Sequence, residues 1–411
     1  MTLPVYAEMR DAQQQDNPRW YWILLLLIPT MALYLKLVGW PPGLVDANVY
    51  RSAVATWLGG KTPYHFNSTV NFLYPPVFLL ALAAIRRAVL FHGFWPLYLT
   101  AHVCATLLLP WLLFRYFLQK HAWSLFGFYW LFFAAPGFLG MLSLWFGNIA
   151  CICWAAMLAA AIYGLERKRW LLFYIAVFVC ASIKITFLPV LLLPCLCGER
   201  QFLKSVLCAA SALAGLEAQA LMFPGLFAQF REILALETTN LGDVGKGAFG
   251  IFFHLFHPLH VHGLVLPAAG YLIVALLVLG MLLRLKHIYG DRQPDSWPAL
   301  VLLGVLFIIP RVQFYDLCLG FPLAFILATR LLRIRTQLFL YAILFLFSLP
   351  WFIWTRDRVF NGGYEWMLIF VLFAISYREI AKLEVVSQKT VPPATTGPES
   401  HSIYSVYESP V

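Results

Sequence analysis

A train of apolar segments, most of them closed by a small basic cluster, runs through almost the whole chain and leaves little choice of fold. Behind a polar stretch, residues 1–20 with Arg10 and Arg19, apolar runs occupy about residues 20–38, 73–93, 96–114, 122–141, 149–165, 170–183, 185–198, 203–222, 264–284, 296–310, 315–329, 336–353 and 363–377. About 20 helical residues cross a bilayer core, so some of these runs are long enough and others fall short. Lipid offers no hydrogen bonds, and a helix satisfies its own backbone. The chain is therefore expected to be an all-α polytopic membrane protein, with about 12 transmembrane helices plus short re-entrant or interfacial helices. With 62% apolar and 12% charged residues it is no ordinary soluble domain, where about 25% are charged.

The basic clusters set the expected orientation. Arg115/Lys120, Arg167 to Arg169, Arg200/Lys204, Arg284/Lys286, Arg330/Arg333/Arg335 and Arg378/Lys382 read as cytoplasmic. The net charge of +10 is thus spent on topology, not on a nucleic-acid stripe. Residues 1–20 form a cytoplasmic N-terminus, the first apolar run has no small-residue cleavage site, and the Ser/Thr/Pro-rich stretch 381–411 reads as a disordered cytoplasmic tail. Outward loops are expected at about 41–72, 142–148, 223–263, 310–315 and 354–362. The runs 73–93 and 96–114 cannot both cross, because residue 72 is placed outside and Arg115 inside. Lys184 falls at the apex of two short segments interrupted by Pro189 and Pro194, where a lysine faces out or into water rather than lipid.

All eight cysteines lie in apolar stretches, which suits buried hydrophobes better than disulfides. The Cys151/Cys153 and Cys195/Cys197 pairs have no His or carboxylate nearby to complete a ligand set. No metal site and no cofactor is expected.

The first outward loop carries the densest chemistry. Asp46, Tyr50, Val54 and Trp57 share one face at helical spacing, Pro41-Pro42-Gly43 precedes them, and Gly59-Gly60 ends the pattern. An amphipathic interfacial helix is expected there. Asp46 is the only carboxylate of the loop; its plainer use is as a cap or dipole partner.

These residues resemble a known family. Asp46 four residues before Tyr50, then Gly59-Gly60, Thr62-Pro63-Tyr64 and Tyr74-Pro75-Pro76 at the head of the next span are similar to the polyprenol-phosphate-mannose-dependent mannosyltransferases, glycosyltransferase family 87, of the GT-C fold. Further along, Gly147-Asn148, Lys184 with Pro189, Asn240-Leu241 with Gly250-Ile251, and Pro310-Arg311 to Tyr315-Asp316 occupy the places of later family elements. There Asn148 stands where Gln is usual, and the last two elements lack the Ser, Trp and His of the pattern.

The resemblance spans roughly residues 20–335, with the first loop its most specific part. It implies a GT-C-like transmembrane domain over 21–380 that moves a hexose, mannose in that family, from a polyprenyl-phosphate donor to a lipid or glycan acceptor at the outward face. The setting it implies is a bacterial inner membrane. Asp46 takes the catalytic position of an inverting transfer, with Tyr50, Lys61, Tyr64, Tyr74, Asn148, Lys184, Asn240, Arg311 and Asp316 as candidate donor- or substrate-binding residues.

Elementary chemistry asks for the same parts: one base for the acceptor hydroxyl and cations for the departing phosphate. Lys61, Lys184, His254, His257 and Arg311 are the outward cations. Asp316 is a possible second acid or a helix cap, whereas Glu232, Glu237 and Asp243 read as solvated loop residues. A lipid or glycan transporter is disfavoured because acidic residues are scarce at span centres. A lipid-linked oligosaccharide polymerase or ligase would lean instead on Arg231 or His254 of the late loop.

Overall fold

The computed structural model describes residues 44–390, apart from 66–70, 120–124, 135–138, 199, 238–243, 257–262, 291–293 and 333–362. All regular structure among the described residues is helical. The expected spans 20–38 and 336–353, Asn240, Asp243, His257 and everything beyond Thr390 lie outside them.

The amphipathic helix of the first loop is present as α1, Val45–Leu58. It buries the stripe Ala47, Tyr50, Ala53 and Val54, one face at helical spacing. After it come α2 (Pro76–Ala88) and α3 (Leu90–Leu113), the latter running on into a π-helical turn, Phe114–Leu118. The break falls at Val89, and α3 carries Pro96 and Pro110 inside it. At 13 residues α2 is too short to cross a bilayer, whereas Phe94–Leu118 is long and apolar enough. Of the runs 73–93 and 96–114, the first is thus a short piece and the second is long enough to cross.

Next come α4 (Leu125–Ala134), α5 (Leu139–Phe146), α6 (Ala150–Arg167) and α7 (Leu171–Ile183). Lys184 then turns to an extended conformation, φ −144° and ψ 96°, before a 3₁₀ segment (Ile185–Leu191) and α8 (Leu192–Cys197). The turn at Lys184 is as the sequence predicts. α9 (Phe202–Met222) follows. The stretch 223–263 is not one open loop: it holds α10 (Pro224–Leu236) and α11 (Ala248–Phe256). Pro224 starts α10 at a position where a missing N–H costs nothing.

The chain closes with α12 (Val265–Tyr289), α13 (Trp297–Ile308), the single turn α14 (Phe314–Leu317), α15 (Gly320–Leu331) and α16 (Gly363–Thr390). Helix α16 carries on to Thr390, so the part of the expected tail from 381 to 390 is helical; its Ser/Thr/Pro content rises only after that point.

Among the described residues, four stretches are long and apolar enough to cross a membrane: Phe94–Leu118, α6, α9 and α12. This is an all-α membrane protein. The burial of its helices sorts them by position. α9 and α12 leave Leu203, Leu207, Leu272 and Ile273 exposed, as helices facing lipid do. α13 and α15 are instead buried on every side, including Leu300, Val301, Phe307, Phe325 and Leu327, and pack on each other and on α16. Gly304 lets α12 and α16 close on α13, since a Cβ there would stand 2.8 Å from Leu282 of α12 and 3.3 Å from Phe373 of α16.

Candidate active site

The site begins where α1 meets the turn between α5 and α6. Leu44 sits in the left-handed region, φ 59°, and its N–H donates to the Trp145 carbonyl at 2.7 Å. Gly147, φ +70°, lies beneath the same turn of helix; a Cβ there would come within 2.8 Å of the Ala47 methyl. A side chain at 147 would therefore push α1 off its seat.

That seating brings Asn148 to Asp46 across 102 residues of sequence. The Asn148 Nδ2 donates to Asp46 Oδ2 at 2.9 Å. Asn148 is 1% exposed, and its Oδ1 accepts the Ala150 N–H at 2.8 Å, which sets which way the amide faces. Asp46 is half-buried in the first turn of α1, where the helix dipole favours its ionised form. The N-cap position belongs to Leu44 and has no side-chain bond, so Asp46 is not the cap.

Behind the carboxylate stands a phenol chain. Tyr50 donates to the Tyr74 oxygen at 2.7 Å, Asn148 Nδ2 donates to the same oxygen at 3.1 Å, and the Ile149 N–H reaches the Tyr50 oxygen at 3.3 Å. The Tyr50 ring meets Tyr74, Phe78 and Tyr98 edge-on, with centroids 5.2, 5.5 and 5.8 Å away. Tyr98 in turn donates to the Gly147 carbonyl at 2.8 Å.

Two expectations are corrected here. Tyr50 and Tyr64 are buried, and Tyr64 donates inward to the Tyr74 carbonyl at 2.8 Å, so both support the site from behind and neither is placed to touch a substrate. Burial holds both phenols well above their ordinary value of 10.0; at Tyr50 the neighbouring phenols and the Asp46 charge add to it.

The second half of the site gathers on Asp316. This carboxylate is 0% exposed and takes three donors: Lys184 Nζ at 2.9 Å, Trp154 Nε1 at 3.0 Å and the Gln313 N–H at 2.9 Å. Lys184 also lies over the rings of Tyr315 and Phe187, 4.6 and 5.3 Å from their centroids. Lys184, read from the sequence as an outward cation, thus gives one of its three N–H donors to Asp316. Asp316 serves as the seat of Lys184: its oxygens are taken up by Lys184, Trp154 and the Gln313 N–H, and it is shut off from solvent.

The two halves adjoin, since the turn α14, which carries Tyr315 and Asp316, packs against α5 and α6 on either side of Asn148. Arg311 is half-buried beside this cluster, its stem against Gly245.

Other candidates lie apart. Lys61 is exposed past the end of α1. His254 is half-buried on α11, edge-on to the Phe253 ring at 5.7 Å. Glu232 is exposed as expected, but Glu237 is 5% exposed and accepts the Asn71 amide at 2.5 Å, because α10 folds back over the first loop. Trp154 and Gln313 were not legible as site residues: a Trp inside an apolar run reads as core.

Among the described residues no three His, Cys, Asp or Glu side chains are grouped so that they could hold a metal ion. No family model, curated protein or solved structure matches the chain.

Proposed function

We propose that the chain is a membrane glycosyltransferase that moves a hexose, mannose by the resemblance of its first loop, from a polyprenyl-phosphate donor to a hydroxyl of a lipid or glycan acceptor. In this reading the GT-C-like domain makes about 12 crossings of a bacterial inner membrane with both termini in the cytoplasm, and the site faces outward. The observation that carries the reading is the aimed carboxylate of Asp46, held by Asn148 in a helix's first turn, with Lys184 and Arg311 across Tyr315.

The chemistry follows from those parts. Asp46 takes the proton of the acceptor O–H as the oxygen bonds to the anomeric carbon, and the bond from that carbon to the phosphate breaks with its electron pair leaving on phosphate. Inversion is the outcome of one such displacement. Lys184 keeps two N–H donors for the phosphate, and the Arg311 guanidinium offers a fork suited to its oxygens.

The purified Asp46→Asn protein tests the reading. Asparagine keeps the shape and loses the basicity, so the variant should elute as the wild type does and transfer sugar about 10²- to 10⁴-fold more slowly. Near-normal transfer would remove Asp46 from catalysis.

A further inference from the structure

The direction of every hydrogen bond around Asn148 is dictated by two backbone groups. The Ala150 N–H occupies Asn148 Oδ1, so the amide NH₂ must face the other way. Its two hydrogens go to Asp46 Oδ2 and to the Tyr74 oxygen. The Ile149 N–H points at the Tyr50 oxygen, and the Tyr50 proton goes to Tyr74. Reversing that last bond would orphan an O–H on a residue 1% exposed, which costs the full desolvation of the group.

The Tyr74 oxygen therefore accepts twice. Its own hydrogen has no acceptor among the described residues, and Tyr74 is only half-buried. An oriented donor thus stands next to the base. The two oxygens share one amide nitrogen, so they lie within about 6 Å of each other, the most that 2.9 and 3.1 Å to a common atom allow.

We infer that Tyr74 and Asp46 form a two-point site for a neutral alcohol: Tyr74 donates to the oxygen of the acceptor's O–H, and Asp46 receives its hydrogen. The inference rests on the transfer reading above and assigns the residue that positions its acceptor hydroxyl. A phosphate or carboxylate could accept from Tyr74 but is repelled by Asp46. An ammonium pairs with Asp46 but has no lone pair for Tyr74. An O–H satisfies both.

The attacking oxygen uses one lone pair on Tyr74 and the other on the anomeric carbon. In an inverting displacement the leaving phosphate departs from the opposite side. A residue sharing an amide with the base belongs to the acceptor's side, and Lys184 and Arg311 are left to the phosphate.

The test uses the full chain in lipid nanodiscs, a short-chain polyprenyl-phosphate mannose and n-octyl α-D-mannoside as acceptor. Tyr74→Phe should raise the acceptor KM about 10-fold or more and leave the donor KM within about twofold. Tyr50→Phe breaks the same network from its buried end and keeps the Tyr74 hydrogen, so its acceptor KM should shift less than about threefold. Equal effects in the two variants, or a donor KM that rises in Tyr74→Phe, would overturn the assignment.

If the wild type transfers nothing from this donor, the transfer reading fails by itself. Saturation-transfer NMR with methyl α-D-mannoside then decides the alcohol site alone. A contact present in the wild type and lost in Tyr74→Phe upholds it, and no contact in the wild type sinks it.

Discussion

Lys184 and Asp316, 132 residues apart in sequence, meet at 2.9 Å in a place where the carboxylate is wholly shut off from solvent. Breaking such a pair by removing one partner costs about 3–5 kcal/mol, because a buried charge is left uncompensated. Lys184→Met should therefore lower the melting temperature markedly. Lys184→Met with Asp316→Asn removes both charges and keeps an oxygen for Trp154, so the double variant should melt above the single one. A double variant that melts at or below it would mean that the pair is not coupled.

Gly147 allows α1 to lie against the turn that carries Asn148. Gly147→Ala should cost about 1–3 kcal/mol through its left-handed backbone, and a contact at 2.8 Å to Ala47 adds to that. The carboxylate of Asp46 would shift with the helix, so transfer should fall about 10-fold or more even in protein that stays folded. Parallel melting curves and transfer rates of purified protein check this; unchanged rates would show that the seat of α1 tolerates movement.

The phenols give a pH dependence of known sign. Tyr50 and Tyr64 titrate above their ordinary 10.0 in the folded chain, so above that pH the unfolded chain releases protons that the folded chain keeps. Their stabilising contribution is complete below pH 10 and is lost as pH rises towards their folded values. Melting temperatures between pH 8 and 11 should be level and then fall, and Tyr50→Phe should flatten the fall. A slope that begins near neutrality would belong to other groups.

Lys61 reports orientation. It is exposed beyond α1, so a cysteine in its place should react with a membrane-impermeant thiol reagent in intact spheroplasts if the first loop faces outward. Labelling confined to lysed cells would reverse the proposed topology.

Local pattern made part of this site legible. The stripe from Asp46 to Trp57 and the glycines after it marked α1, and Lys184 between two proline-broken segments marked a turn, because both signals act over a few residues. What joins them acts over more than a hundred. Nothing near Asn148 in sequence announces Asp46, nor does anything near Lys184 announce Asp316, and an ion pair formed at that separation turns a seemingly available cation into a committed one. Glu237 was misplaced for the same reason: a carboxylate on a polar stretch looks solvated until α10 is known to fold over Asn71. The hydrogen-bond direction at Tyr74 depends on backbone N–H groups of residues 149 and 150, which a side-chain motif does not contain.

The enclosure of α13 bears on how the protein is made. This helix has 12 residues, and the backbone after it, from Ile309 to Gln313, is irregular yet buried at Ile309, Val312 and Gln313. Irregular backbone does not survive against lipid and persists only inside a protein wall, part of which comes from α16 near the C-terminus. A nascent chain that has not yet delivered α16 therefore holds this irregular stretch without part of its protein wall. Chains cut before Gly363 should be met as quality-control substrates, and the stretch carrying Arg311 and Gln313 should take its final form only after the last helix arrives.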